Sequence, residues 1–264
     1  GGKREKKPTT PVAHFNGQIS GQRGLVYGSL SLEEIKQVKN YFDVTVNDVI
    51  LAMVSGSLRE ILLQENNLPD DSLRTAIAVS LRQEGDVEFS NKLTSTSVTL
   101  ATALSDPVER LRAIAAESSA AKQKARAGGK GIMEMLQLMP PLLVNAMISI
   151  APPDSTVAMN GANLLVSNVR GSPRPMYMAG ARVIATYPAS ILLPGMGINV
   201  TCMSYIDKVD FGITVEPAMF PDPWRLIDGL QDTLKAYLAL AGKKPSRRRK
   251  KTAPRKKPAS RKRN

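Results

Sequence analysis

Few side chains in this sequence belong to types that do chemistry, and their spacing narrows them further. The single histidine, His14, sits among Pro11, Gly17 and other linker-type residues, with no carboxylate or thiol beside it. One imidazole without a partner is a poor metal ligand or general base, so a plain packing role outweighs a catalytic one. A Ser-His-Asp triad would have to draw that histidine out of a linker. The single cysteine, Cys202, lies in a run of strand-type residues, where burial as a small hydrophobe fits better than nucleophilic attack. With no Cys/His cluster, a zinc-type site has no ligand set. Gly128-Gly-Lys-Gly131 resembles a phosphate loop in composition, but it lacks the full spacing and the Ser or Thr after lysine. These residues alone define a mixed α/β domain without a self-evident reaction centre.

Composition sets the frame around them. At 264 residues the chain is long enough for one large domain or two smaller ones. One cysteine excludes an internal disulfide framework and fits a reducing compartment. The opening Gly1-Gly-Lys-Arg-Glu-Lys-Lys7 has no apolar h-region, so no secretory signal is expected. Its missing initiator Met marks either an artificial start or a piece of something longer. No apolar run reaches about 18 residues, so no spanning helix is expected. The net charge of +13 reads at first as a nucleic-acid signal. However, 13 of the 36 Lys and Arg lie between Ala241 and Asn264, leaving 23 basic residues against 23 acidic ones before them. The body is neutral and the basicity is a tail.

Sheet-forming segments concentrate between Asn163 and Val215. Asn163–Val169 is an apolar run, and Arg170-Gly-Ser-Pro-Arg-Pro175 is a turn signal. Met176–Pro188 and Met196–Val215 are rich in branched and aromatic residues and read as further strands of the same sheet. The second breaks at Asp207-Lys208, a hairpin tip between Ile198–Ile206 and Val209–Val215. Earlier, Leu25-Val-Tyr27 reads as a short extended piece ended by Gly28. Ser31 and Glu34 make a capping box for a helix to about Phe42. Thr45 caps a second helix, with Asp48 in its first turn and apolar residues at helical spacing from Val46 to Leu62. Gly56 and Ser57 in its middle predict close approach by another element. Thr75–Leu81 and Leu93–Ala101 read as strands, Asp106-Pro107 as a helix start, and Trp224–Leu240 as a last amphipathic helix. Between them, Ile132–Ile150 is an apolar stretch carrying Met133, Met135, Met139 and Met147, split by Pro140-Pro141. Core packing accounts for it better than an acyl-chain groove.

Several separated pieces resemble the C-terminal half of the bacterial wax ester synthase/acyl-CoA:diacylglycerol acyltransferase family. They are Phe15-Asn-Gly-Gln-Ile-Ser20, Thr45-Val-Asn-Asp-Val-Ile-Leu-Ala52, Ala78-Val-Ser-Leu-Arg82, Ser90-Asn91 and Asp106-Pro-Val-Glu-Arg-Leu111. Asn163-Leu-Leu-Val-Ser-Asn-Val169, Met178-Ala-Gly-Ala-Arg182, Ile198-Asn-Val-Thr-Cys-Met-Ser-Tyr205 and Val209-Asp-Phe-Gly212 complete the set, in order from about residue 11 to 240. Each piece is weak alone, whereas the ordered set is specific. The resemblance implies an α/β, chloramphenicol-acetyltransferase-like fold in which two related halves flank a reaction channel. It divides the chain into an inter-half linker (1–24), a C-terminal acyltransferase domain (25–240) and a disordered polybasic tail (241–264).

The family's HHxxxDG motif, whose second His is the general base, is not in this chain. The resemblance therefore implies a half-enzyme whose partner half supplies the imidazole, with acyl-CoA as co-substrate, a long-chain alcohol or diacylglycerol as acceptor, and no cofactor. Asn47 and Asp48 match the family's Asn-Asp motif. An Asn amide at a helix N-terminus would suit a developing oxyanion, and a purely local capping role stands equally open. Ser167 and Asn168 fall near the implied channel, in a hydrogen-bonding or scaffold role. Arg82 and Asn91 are candidates for the carrier's phosphates, with a structural ion pair an equal alternative for Arg82. The tail suits an anionic membrane or lipid droplet at about 1 kcal/mol per basic residue near the surface, ahead of nucleic acid. Such an enzyme would be cytoplasmic, and peripheral at the inner membrane or lipid inclusions. The rival reading is a non-catalytic binding module whose basic tail grips membrane or nucleic acid.

Overall fold

Alternation in the strand segments decides the architecture, because it leaves one continuous apolar face for helices to cover. The computed structural model describes residues 10–80, 93–126 and 161–242. In order these hold β1 (Gly24–Ser31), α1 (Leu32–Phe42), α2 (Val46–Gln64), β2 (Arg74–Ser80), β3 (Leu93–Thr99) and α3 (Pro107–Arg126). Then come β4 (Leu164–Val169), β5 (Tyr177–Met178), β6 (Ala181–Arg182), β7 (Ile198–Tyr205), β8 (Lys208–Val215) and α4 (Trp224–Gly242). Six strands form one mixed sheet in the order β1-β8-β7-β4-β2-β3. β4 runs parallel to both β2 and β7, and the other pairs are antiparallel.

The register lines apolar residues up across the strands. Val26, Ile213, Val200, Val166 and Ile77 are successive cross-strand partners, and all five are buried. The helices cover this face. α1 contributes Ile35 and Val38, and α4 contributes Leu226, Leu230, Leu234 and Tyr237 at three- and four-residue spacing. α2 is apolar nearly all round and lies in the middle of the layer, with twelve of its residues buried. It meets α4 through small residues: a Cβ at Gly56 would stand 2.5 Å from Thr233 Cγ2, and one at Gly229 would overlap Ser57. That is the close approach expected of Gly56. Gly28 differs from expectation, since it lies inside β1 rather than ending it. A Cβ there would come within 2.9 Å of Ile227 Cγ2, so glycine lets α4 settle onto the strand.

Three helix starts are capped as the sequence predicts. Ser31 Oγ accepts from Glu34 N at 3.2 Å, and Thr45 with Asp48 forms a full capping box. Asp106 Oδ1 accepts from Val108 N and Glu109 N, both at 2.8 Å. Ahead of β1, Phe15 is fully buried, worth about 1.5–3 kcal/mol for such a side chain. Asn16 Nδ2 donates to Asn163 O at 2.7 Å and to Gly195 O at 3.0 Å, while Asn163 Nδ2 donates to Asn16 Oδ1 at 2.8 Å. These bonds tie the segment before β1 to the start of β4. The stretches 81–92 and 127–160, with the Gly128–Gly131 run and the Met-rich segment, lie outside the described residues, as does the tail from 243.

The other face of the sheet is polar: Asp210, Thr214, Asn199 and Thr201 alternate with the core residues of β7 and β8 and are themselves buried. The segment between β4 and β7 covers them. This segment was expected to supply another strand of the main sheet, but it makes only the small β5–β6 hairpin. Its backbone is satisfied by side chains instead of a ladder. Tyr205 Oη accepts from Met176 N at 3.0 Å and donates to Val183 O at 2.7 Å. Asp210 accepts from Thr186 N at 2.7 Å and from Ser29 Oγ at 2.6 Å, and Asn199 Nδ2 donates to Ile191 O at 2.7 Å. Pro175, Pro188 and Pro194 supply no N–H, which removes the donors a long strand would need. The β7–β8 tip also sits one residue earlier than expected. Tyr205 pairs with Lys208, so Ile206-Asp207 forms the turn, with Ile206 held at φ +54°.

Candidate active site

Thr45, with extended backbone, stops the chain from helical winding one residue before Val46. Its hydroxyl accepts from Asp48 N at 3.2 Å, while Asp48 Oδ2 accepts from Thr45 N at 3.0 Å and from Thr45 Oγ1 at 2.6 Å. Asp48 is thereby bound into the cap, the local role left open for it. Its second oxygen, Oδ1, is buried with no hydrogen-bond partner among the described residues, and Lys122 Nζ of α3 stands 4.0 Å from it. Asn47, half-buried in the first turn, sits where the helix dipole is positive.

The direction of α2 follows from its partners. Ser55 Oγ donates to Leu100 O just past the end of β3, and Arg59 Nη1 to Thr102 O. Thr102 in turn accepts from Leu73 N just before β2. The C-terminal half of α2 therefore lies where β2, β4 and β7 begin, and its N-terminus points to the end where they finish. Ser167 and Asn168 are at that same end, on the exit of β4. Asn168 pairs in register with Cys202 and so shares the helix-side face, where its Oδ1 accepts from Cys202 Sγ at 3.6 Å. Ser167 pairs with Thr201 and so lies on the opposite, polar face, half-buried. Beside it that face is floored by small residues: Ala78 and Ser95 are exposed and Ser97 half-buried. The structure thus brings Asn47, Asp48, Ser167 and Asn168 to one end of the domain. No hydrogen bond joins the two pairs among the described residues. Arg82 and Asn91 lie outside those residues, between β2 and β3 in the sequence.

His14 is at the other end. It stacks on Phe220 at 5.9 Å, meets Phe15 edge-on at 5.4 Å, and approaches Glu65 Oε2 at 3.8 Å. Glu65 also pairs with Arg225 Nη1 at 2.6 Å. Cys202 is fully buried, and burial pushes its thiol up to about 12, far from a nucleophile's range. Among the described residues no group of three His, Cys, Asp or Glu is placed to hold a metal. Sequence reasoning passed over Asp210 and Tyr205, which fix the covering segment on the polar face. A charged residue between Val209 and Phe211 in an alternating strand is the signal that marks Asp210.

Residues 89–237 match the family described as the WS/DGAT C-terminal domain. Residues 3–50 match the wax ester synthase/diacylglycerol acyltransferase catalytic domain. A putative diacylglycerol O-acyltransferase of Mycobacterium tuberculosis is 33% identical over 238 residues, covering 90% of this chain and 47% of the relative. The O-acyltransferase WSD of Acinetobacter baylyi is 31% identical over 235 residues, covering 88% of this chain and 50% of its own length. The chain thus spans about half the length of the curated relatives it matches. Among solved structures, the wax ester synthase/diacylglycerol acyltransferase from Marinobacter aquaeolei VT8 superposes with a TM-score of 0.70 at 29% identity. That match covers 88% of this chain and 53% of the other. The epimerization domain of tyrocidine synthetase B shares the fold alone, at 9% identity and a TM-score of 0.53. The ordered pieces that suggested a lineage, the mixed sheet under its helix layer and a family match over more than half the residues all agree: this chain belongs to the wax ester synthase/diacylglycerol acyltransferase family.

Proposed function

We propose that the chain is the C-terminal half of an O-acyltransferase, with its domain body at 25–240. The enzyme moves a fatty acyl group from a coenzyme A thioester to the hydroxyl of a long-chain alcohol or a diacylglycerol. The observation that carries the division of labour is the place of His14. The one imidazole of the chain is stacked between aromatic rings at the end of the domain away from Asn47, Asp48 and Asn168. The general base therefore comes from the preceding half.

In this reading that base takes the proton from the acceptor hydroxyl as its oxygen attacks the thioester carbonyl. The tetrahedral oxyanion collapses to the ester, and the thiolate leaves with the proton from the base as free coenzyme A. Asn47, at the positive end of α2, donates its amide N–H to the oxyanion. Asp48 holds the first turn in place through the cap. Asn168 and Ser167 shape the channel wall, and Arg82 and Asn91 face the carrier's phosphates. The polybasic tail, 241–264, holds the enzyme on an anionic membrane or lipid-droplet surface. Among the described residues no helix is long and apolar enough to cross a membrane.

Acyl transfer is measured with the 264-residue chain alone and with the preceding half added. The chain alone is expected to be inactive, and activity is expected on addition. Turnover by the isolated chain that disappears in His14→Ala overturns the assignment of the base. Asn47→Ala in the two-half protein is expected to lower kcat by about 10²–10³, the usual loss for one oxyanion donor. Unchanged turnover removes Asn47 from the site.

A further inference from the structure

α3 turns one basic side chain toward the start of α2. Its buried residues Leu111, Ile114, Ser118 and Ala121 recur at three- and four-residue spacing, so they form the face laid against the core. Lys122 stands at the margin of that stripe, one turn beyond Ser118 on the same side of the helix. Lys124, two residues on, is exposed. The Lys122 ammonium lies 4.0 Å from Asp48 Oδ1, and the Asp48 side chain is only 5% exposed. Oδ2 of that carboxylate accepts twice from Thr45, while Oδ1 has no hydrogen-bond partner among the described residues. Among those residues Lys122 is also the one cation within ion-pair reach of Asp48.

We propose that Lys122 is a positioning residue for the acyl-transfer step, fixing the Asp48 carboxylate and offsetting its charge beside the Asn47 amide. The inference rests on the reading above that Asn47 faces the oxyanion. Geometry supplies the first part. A buried carboxylate oxygen with neither a bond nor a counter-charge is costly, and it would turn toward water. That turn would carry Oδ2 away from Thr45 N and Thr45 Oγ1, opening the cap that sets the first turn of α2. Lys122, standing against Oδ1, holds the carboxylate in. Charge supplies the second part. A carboxylate one residue from Asn47 opposes negative charge developing at that amide, the more so where water is sparse. The ammonium offsets this, leaving the positive end of α2 and the Asn47 N–H to act on the oxyanion. Neither part requires Lys122 to touch substrate. The pair also ties α3 to α2 at the end of the domain that holds Ser167 and Asn168.

The test uses the two halves expressed as one chain, carrying Lys122→Met, Lys122→Arg, Asp48→Asn, or Lys122→Met together with Asp48→Asn. Methionine keeps most of the side chain's length without its charge, and a position 29% exposed tolerates it. Lys122→Met is expected to lower kcat about tenfold, with KM for acyl-CoA unchanged, a loss in the usual range for coupled neighbours. Lys122→Arg is expected to recover most of that loss. Where Asp48→Asn has already removed the carboxylate, adding Lys122→Met is expected to cost less than about twofold. A full loss in that background, a loss confined to KM, or no recovery with arginine would each overturn the proposal. Amide exchange in the 264-residue chain gives a readout that needs no turnover. Thr45 N–H, bonded to Asp48 Oδ2, is expected to exchange faster in Lys122→Met, while Leu58 N–H, midway along α2, keeps its rate. Equal acceleration at both, or no change at Thr45, counts against the positioning role. Asn47→Ala is measured alongside: turnover kept there sinks the reading of the site, whereas turnover lost there but kept in Lys122→Met sinks the role of Lys122 alone.

Discussion

The α-carbon of Gly212 in β8 lies so close beneath the carbonyl oxygen of Pro188 that no side chain fits between them. Gly212 is in register with Thr201 on one side and Tyr27 on the other, so the contact sits in the middle of the polar face.

Gly212→Ala is therefore expected to destabilise the protein by about 1–3 kcal/mol, the usual range for forcing a methyl into filled space. The obstacle is backbone rather than a movable side-chain end. The segment between β4 and β7 should lift before the helix layer does. Chemical denaturation measures the first effect, and faster amide exchange at Thr186, whose N–H is bonded to Asp210, measures the second.

At the start of α2 two neighbouring residues should separate by readout. Thr45→Ala removes the hydroxyl that accepts from Asp48 N and donates to Asp48 Oδ2, and should lower stability by about 1 kcal/mol. Asn47→Ala leaves the capping box intact and should change stability by no more than about 0.5 kcal/mol. In the two-half protein the order should reverse for turnover. Denaturation and kcat measured on both variants decide whether Asn47 serves the chemistry or the helix.

Glu216 gives a signed pH dependence. Burial by itself would raise its carboxyl, but the N–H and O–H of Ser20, the N–H of Ala218 and the Arg23 guanidinium outweigh that and hold it below the ordinary value. A group depressed on folding adds stability that is complete above its unfolded value, about 4.3 for glutamate, and is lost as pH falls through the folded one. The melting temperature of the wild type should drop through that acid window. Glu216→Gln should start lower at pH 7 and lose less on acidification.

Cys202 should be silent to thiol reagents in the native state at pH 8. Its side chain is buried between β4 and α-helical cover, and its thiol is raised to about 12, so neither access nor thiolate is available. Labelling should follow the unfolding transition when denaturant is added. Rapid native labelling would show that the exit of β4, beside Asn168, opens readily.

Local structure was readable wherever a short-range signal decides it. Ser31, Thr45 and Asp106 announce helix starts through their own side chains, and the cap forms from residues three apart. Gly56 was readable as a close approach because a glycine in an otherwise apolar helix has few other uses. Gly28 was not, since a glycine beside a strand signals a break as well as it signals a neighbour. The sequence could not say that Ile227 presses against it. Met176–Pro188 was read as part of the main sheet on composition. Its strand-type side chains instead form an outward surface, because Tyr205, Asp210 and Asn199 take over the bonding that a ladder would have supplied.

The candidate site divides in the same way. Residue order alone identified the family and the Asn47-Asp48 pair, and the charge count alone separated a neutral body from a basic tail. Where Asn47 lies relative to Asn168, and that His14 is at the far end, depended on which way α2 crosses the sheet. That direction is set by long-range contacts such as Ser55 with Leu100 and Gly56 with Thr233, which join residues far apart in the chain. Periodicity encodes which side of an element is buried; only packing decides what it is buried against.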